Sequence, residues 1–249
     1  MRYILIPFRV IFKIYYLIVF VLSLVVWYPI MYYFLYTPKR FPTAFKVMKL
    51  QALSLLILAG ARLRIKGAEN IPENGAYIIC PNHTSFLDIF CIYCVFPNYF
   101  VFTGKKEIEK WPLFSIYYTS GMNILVDRHS NTGSIKALKR MSREIDDGKP
   151  LVIFPEGTIS KNAPDLMPFK SGAFAIAIQK QIPVLPVTFV TNWKRLNRGD
   201  FWFGGGSPGI SEVVIHQPVI TKGMNKLQIE QLQDVVQGII AGPLTVYKK

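Results

Sequence analysis

The hydrophobic positions fall into two regimes. From Ile14 to Pro38 no residue is charged, a run longer than the ~20 apolar residues that span a bilayer. Tyr15, Tyr16, Trp27, Tyr28, Tyr32, Tyr33 and Tyr36 crowd this run, and such rings favour the membrane interface. Pro29 is expected to kink or end the helix. Thr37 to Pro42 reads as a basic turn, followed by a second apolar helix from about Thr43 to Ala61 whose uncharged part begins at Leu50. A stretch that short is more often interfacial or re-entrant than spanning. Either residues 14–36 cross the bilayer once, or the two helices form a hairpin dipping into one leaflet. Positive flanks at both ends favour the hairpin.

From residue 62 short β-rich runs alternate with helical patterns, which predicts an α/β unit. The expected strands are 62–66, 76–80, 98–103, 121–127, 151–154, 182–190 and 211–219. The expected helices are 85–95, 111–119, 131–146, 170–180 and 225–240.

Charge sharpens this division. The net charge is +14, and residues 1–68 hold ten Lys and Arg, Arg2 among them, and no Asp or Glu. Basic groups interleaved with greasy runs point to anionic lipid headgroups rather than nucleic acid. Cys80, Cys91 and Cys94 are too few for a disulfide framework, and Cys91-x-x-Cys94 lacks the further ligands of a zinc site. They read as reduced core thiols, and no metal site is expected.

Chemistry is concentrated where predicted strands end. Asn82-His83-Thr84-Ser85-Phe86-Leu87-Asp88 follows the strand that Pro81 should close. Ser85 to Asp88 has capping-box spacing. Inside one helix, residues five apart sit ~140° apart. With His83 just outside the helix, Asp88 can reach back to the imidazole. Such a dyad would fix the His tautomer and leave the other ring nitrogen to take a proton from a hydroxyl. Phe154-Pro155-Glu156-Gly157-Thr158 closes another strand with a glycine turn, and such turns present N–H groups to anions. Lys105 and Lys106, and Arg128, end two more strands and suit a phosphate. Lys170 and Gly172 begin a helix expected to face the same cleft. Ligands of open α/β sheets sit at such strand ends.

Two glycine motifs are decoys. Gly205-x-Ser207-x-Gly209 matches a nucleophile elbow, but Pro208 has no N–H for an oxyanion. Gly204-x-Gly206-x-x-Gly209 matches a dinucleotide fingerprint, but it precedes a strand-like run.

These blocks together resemble the glycerolipid acyltransferase family, in particular its lysophosphatidic acid acyltransferases. His83 and Asp88 match the family's N-H-x4-D block. Lys105, Pro112, Gly121 and Arg128 match the second, Phe154 to Thr158 the third, and Ile182 to Val187 the fourth. The resemblance covers about residues 62–220. It implies a membrane-associated hairpin over 1–61 and an acyltransferase domain over 62–249, with a mixed, mostly parallel sheet flanked by helices. It implies His83 and Asp88 as catalytic residues, and Lys105, Arg128, Glu156, Gly157 and Thr158 at the acceptor phosphate. Asn82, Ser85, Lys106, Lys161, Lys170 and Gly172 are expected in support. One departure stands out: the third block usually continues with a phosphate-binding Arg, and this chain has Ile159.

The implied reaction is direct transfer, with no cofactor, from acyl-CoA or acyl carrier protein to lysophosphatidic acid. The implied place is the cytoplasmic face of the inner membrane. The alternatives are another acceptor, such as glycerol-3-phosphate or a different lysolipid, a phospholipid-dependent transacylase, and a non-catalytic scaffold for anionic lipid.

Overall fold

A computed structural model describes residues 6–197, 202 and 204–247. Arg2, counted in the basic N-terminal segment, lies outside the described residues.

Two helices come first, α1 (Ile6–Leu35) and α2 (Phe41–Leu58), joined by a short 3-10 turn at Pro38–Arg40. They pack antiparallel: the Tyr15 hydroxyl donates to Leu58 O at 3.1 Å and Gln51 Nε2 to Ser23 Oγ at 3.2 Å. Arg40 holds the turn by donating to Tyr33 O at 3.2 Å while lying over the Tyr33 ring. Of the two outcomes expected at Pro29, ending the helix is ruled out, because α1 runs through it for six more residues. Proline removes one backbone bond, and the packing of Leu24, Met31 and Leu35 against the core holds the helix across the gap.

The remaining elements are β1 (Ala61–Lys66), β2 (Ile78–Pro81), α3 (Leu87–Val95), β3 (Val101–Lys105), α4 (Ile116–Thr119), β4 (Ile124–Val126), α5 (Asn131–Asp146), β5 (Leu151–Val152), α6 (Gly172–Lys180), β6 (Val184–Phe189), α7 (Asn192–Arg195), β7 (Gly209–Ile215) and α8 (Ile229–Ala241). The strands form one sheet in the order β1-β7-β6-β2-β5-β3-β4. Among the seven described strands, β6 and β7 are the one antiparallel pair. The mixed, mostly parallel sheet is therefore as expected. Strand ends shift by up to four residues, most inward, while β1 and β7 begin one and two residues earlier and β2 and β3 end one and two residues later than expected, and the expected helix 111–119 shortens to α4. Trp111 to Ser115 forms turns instead, with Leu113 at a positive φ of 63°.

Helices cover both faces, as buried central strands of this type require. One apolar cluster joins α1, α2 and α3 to Ile79, Phe102, Val152 and Leu185. The other joins α5, α6 and α8 to Ile78, Val101, Leu151 and Val184. Strand neighbours such as Ile78 and Ile79 point to opposite clusters, as the two-residue pleat demands. Each such buried side chain contributes ~1.5–3 kcal/mol.

The topology does most of the work for the site. In the run β6-β2-β5-β3-β4 every strand is parallel. Their C-terminal ends therefore share one rim, the place where open α/β sheets bind ligands. Along that rim lie, in order, the segments that carry Asn192, His83, Glu156, Lys105 and Arg128.

Candidate active site

The site begins with a proline at the end of a strand. Pro81 is the last paired residue of β2, opposite Val187. It has no N–H of its own to donate; the Asn82 N–H makes the last backbone bond to β6, onto Val187 O at 3.3 Å, and the Asn82 side chain extends the pairing beyond it. Asn82 Oδ1 accepts from Phe189 N at 2.7 Å and its Nδ2 donates to Phe189 O at 3.2 Å. This amide, fully buried, turns the chain out of the sheet at a fixed angle, and His83 follows it.

His83 is held on all sides. Its backbone N–H donates to Glu156 Oε1 at 2.7 Å, and its carbonyl accepts from Ser160 N at 2.8 Å. The Phe-Pro-Glu-Gly-Thr turn and Ser160 just after it thus clamp His83 through its own N–H and carbonyl. Phe154 stacks on the imidazole, with centroids 4.0 Å apart and planes at 22°. His83 Nδ1 lies 3.0 Å from Asp88 Oδ2.

Asp88 sits in the first turn of α3 and is completely buried. Its Oδ2 also accepts from Thr84 N at 2.7 Å and Ser85 N at 2.8 Å. Ser85 Oγ accepts from Leu87 N at 3.1 Å. Only the acid half of the expected capping box forms, Asp88 accepting the Ser85 N–H; the Asp88 N–H goes to Ser85 O at 3.3 Å rather than to Ser85 Oγ, and the helix proper starts at Leu87. Ser85 also donates to Leu196 O at 2.5 Å, tying this turn to the end of α7. The second carboxylate oxygen, Oδ1, accepts from Asn192 Nδ2 at 2.8 Å.

Four donors on one buried carboxylate fit its ionised form. An ionised Asp88 accepts the Nδ1 proton and so fixes the tautomer in which Nε2 is bare. That nitrogen can take a proton from an alcohol.

Glu156 serves a different end from the one its motif suggested. Both carboxylate oxygens accept backbone N–H groups, Oε1 from His83 and Oε2 from Met167 at 2.8 Å. A buried acid also has the wrong sign to hold a phosphate. Burial pushes its pKa up to about 7, against the pull of the two N–H donors and with a further push from Asp88. Gly157 likewise acts through shape. Its N–H closes the turn onto Phe154 O at 3.0 Å. Its φ is +71°, and a Cβ there would sit 2.2 Å from Arg128 Nη1. That close approach lets Arg128 donate to Gly157 O at 3.0 Å. Arg128 is thereby brought to the turn that clamps His83.

The other expected residues spread outward. Lys105 ends β3 half-buried on the same rim, and Thr158 follows the glycine turn, half-buried. Lys106 is exposed and pairs with Asp127 at 3.0 Å. Lys161 is exposed. Lys170 is exposed too, and its N–H bonds Pro155 O at 2.9 Å, so α6 begins beside the turn at Gly172. Ile159 is buried at 5 % exposure. Of the decoys, Ser207 contacts Lys194 O and Arg195 Nη1 through its hydroxyl, and Gly209 opens β7. The three cysteines are free thiols, Cys80 and Cys91 buried and Cys94 half-buried; burial raises Cys94 to about 11.

Sequence reasoning missed Asn192. It lies on a four-residue helix with no readable period, right after the fourth motif strand. A polar residue closing a fully buried strand at a shared rim was the signal available.

Residues 62–190 match the model of the acyltransferase family, more than half of the chain. The chain belongs to the acyltransferase family. The matched span contains every motif residue at this family member's site, and Asn192 lies two residues beyond it. A Helicobacter pylori protein named 1-acyl-sn-glycerol-3-phosphate acyltransferase is 35% identical over 125 residues, covering 50% of this chain and about half (53%) of that protein. The mouse 1-acyl-sn-glycerol-3-phosphate acyltransferase alpha is 27% identical over 205 residues, covering 82% of this chain and 70% of its own length. In fold, the chain is similar to the crystal structure of the 1-acyl-sn-glycerophosphate (LPA) acyltransferase PlsC from Thermotoga maritima. The TM-score is 0.78 at 22% identity, covering 100% of this chain and 99% of the other.

Proposed function

We propose that this acyltransferase moves a fatty acyl group from a thioester to the sn-2 hydroxyl of 1-acyl-glycerol-3-phosphate, giving phosphatidic acid. The observation that carries the reading is the 3.0 Å contact between His83 and a buried, four-donor Asp88. The acceptor is taken from the similarly named relatives and from the cations at the same rim.

His83 Nε2 takes the proton of the acceptor hydroxyl as its oxygen attacks the thioester carbon. A C–O bond forms, the C–S bond breaks, and the imidazolium returns its proton to the departing thiolate. Asp88 stabilises the imidazolium in between. Base catalysis of this type contributes roughly 10²–10⁴-fold, and alignment of the two substrates supplies much of the rest. No cofactor enters this sequence. Arg128 and Lys105 take the acceptor phosphate, with Ile159 in place of a third cation. Glu156 is a positioning residue that holds the His83 peptide.

The hairpin sets where the acceptor enters. Ile11, Ile14, Leu17, Ile18, Leu22, Val25 and Val26 of α1 are all exposed, an apolar surface too large for water. Because α2 packs on α3 and the sheet, the hairpin lies along the catalytic domain instead of projecting away from it. This geometry supports a hairpin embedded in one leaflet, on the cytoplasmic side where both basic ends remain. Lysolipid then reaches the rim laterally.

The test is mass spectrometry of products from the purified chain. It is offered acyl thioesters with lysophosphatidic acid, glycerol-3-phosphate or other lysophospholipids. Phosphatidic acid from lysophosphatidic acid is expected. Acylation of a different acceptor alone overturns the substrate assignment, and absence of thioester turnover overturns the enzyme.

A further inference from the structure

Asp88 is served from two sides. His83, Thr84 and Ser85, its near neighbours in the chain, hold Oδ2. Oδ1 takes its bond from the Asn192 amide, 104 residues away, so the aim of that amide matters to the dyad. Asn192 Nδ2 also lies 3.5 Å from Cys91 Sγ, one turn further along α3. Asn192 Oδ1 is buried with no hydrogen-bond partner among the described residues, and so are the Tyr16 and Ser211 hydroxyls.

These three atoms are not scattered, because Cys91 is their common neighbour. The Ser211 hydroxyl faces its sulfur without meeting the geometry of a hydrogen bond. The Tyr16 phenol is an electrostatic neighbour of the same thiol. Ser211 shares the face of β7 that carries Val213 and Ile215, and both pack in one cluster with Tyr16 and Cys91. Tyr16 is buried, whereas Tyr15 and Leu17 on either side of it face outward. The turn of α1 before it rests on the segment that follows α7, since a Cβ at Gly206 would lie 3.1 Å from Lys13 Cε. Thus α1, α3, α7 and β7 bring an amide oxygen and two hydroxyls together behind Asp88.

A buried polar atom without a partner is costly, and three around one sulfur call for a shared partner. The thiol is too weak a donor and acceptor to serve. A water suits the spot. It takes 2–4 polar partners in a buried polar site, and it can donate to Asn192 Oδ1 while accepting from Tyr16 and Ser211.

We propose that Tyr16, Asn192 and Ser211 bind one buried water behind Asp88, and that Tyr16 and Ser211 are positioning residues that act through it to aim the Asn192 amide at Oδ1. The seating of the apolar helix α1 is thereby linked to the dyad. The water site stands on the structure alone, and its effect on rate rests on the acyl transfer proposed above.

The experiment uses the full chain in detergent micelles, with Tyr16→Phe, Ser211→Ala and the double variant, which remove only hydroxyls. The sign of the change in Tm is the first readout. Removing a hydroxyl that binds the water should lower Tm by about 2–4 °C, whereas removing an unpaired one should raise it. The double variant should lose less than the sum of the two, because both hydroxyls serve one water. With acyl thioester and lysophosphatidic acid, kcat should fall about three- to tenfold in each single variant at unchanged KM for both substrates. A crystal structure of the unmodified chain should show the water within hydrogen-bond distance of all three atoms. A rise in Tm, strictly additive losses, or no water in that structure overturns the site. A fall in Tm with kcat unchanged overturns the positioning role, because a merely structural water would give that pattern. If the unmodified chain turns over no thioester, the enzyme reading and the positioning role fall together, and the Tm measurements still decide the water site.

Discussion

Asp88→Asn isolates the charge of the dyad from its architecture. Removing the side chain altogether would not. Asp88 accepts from His83, Thr84, Ser85 and Asn192 in a site with no solvent exposure. Alanine would leave those donors unpaired at ~1–3 kcal/mol each, enough to threaten the fold. Asparagine keeps one carbonyl oxygen, which can face His83, Thr84 and Ser85. Its amide then meets the Asn192 amide, donor to donor. Asn192 has a remedy, because its Oδ1 is buried without a hydrogen-bond partner, and turning the amide over presents that oxygen to the new donor. The fold should therefore lose only about 1–2 kcal/mol, the charge-assisted part of the bonds. The tautomer survives, but the negative charge that stabilises the imidazolium does not. We expect kcat to fall roughly 10²–10⁴-fold, about 3–5 kcal/mol of barrier, with little change in either KM. Thermal unfolding and steady-state kinetics on the same preparation provide the assay. A variant that unfolds like the unmodified chain and retains kcat within tenfold would refute the role of the carboxylate.

Further outcomes follow from the neighbours. Asn192→Ala leaves Asp88 Oδ1 without its donor, which should cost about 1–3 kcal/mol by chemical denaturation and lower kcat more than it raises KM; an unaffected kcat would remove Asn192 from the site. Gly157→Ala places a Cβ where Arg128 Nη1 sits and strains a φ of +71°, so KM for the acceptor should rise while kcat with saturating acceptor holds; the opposite pattern would detach Arg128 from the phosphate. Glu156 has a folded pKa near 7, above its ordinary value of 4.5. A raised pKa confers stability fully present below pH 4.5 and lost as pH rises through 7. The unmodified chain should thus lose stability relative to the non-titrating Glu156→Gln between pH 4.5 and about 7, and parallel pH profiles of the two melting curves would contradict this.

The elements that patterning captured best are those with local causes. Helix α5, at residues 131–146, has an amphipathic period and a serine cap, and it forms with those bounds. The dyad was legible because one chain reversal brings His83 to Asp88. What needed long-range contacts was not. Asn192 is 104 residues from Asp88, and only the parallel pairing of β6 with β2 makes them neighbours. The role of Glu156 was hidden because its partner is a backbone N–H, invisible in any motif, although the sign of its charge argued against a phosphate. Strand β5 shrank to two residues because the chain leaves the sheet early to wrap His83. Pro29 shows tertiary packing overriding a local breaker.

The central claim is that the imidazole of residue 83 takes the proton from the acceptor alcohol. Its most direct measurement is phosphatidic acid formed from a labelled acyl thioester and lysophosphatidic acid by His83→Ala, beside unmodified protein of matching thermal stability. The account predicts a drop in kcat of roughly 10²-fold or more with both substrates still bound. Product formation within a few fold of the unmodified protein would contradict it.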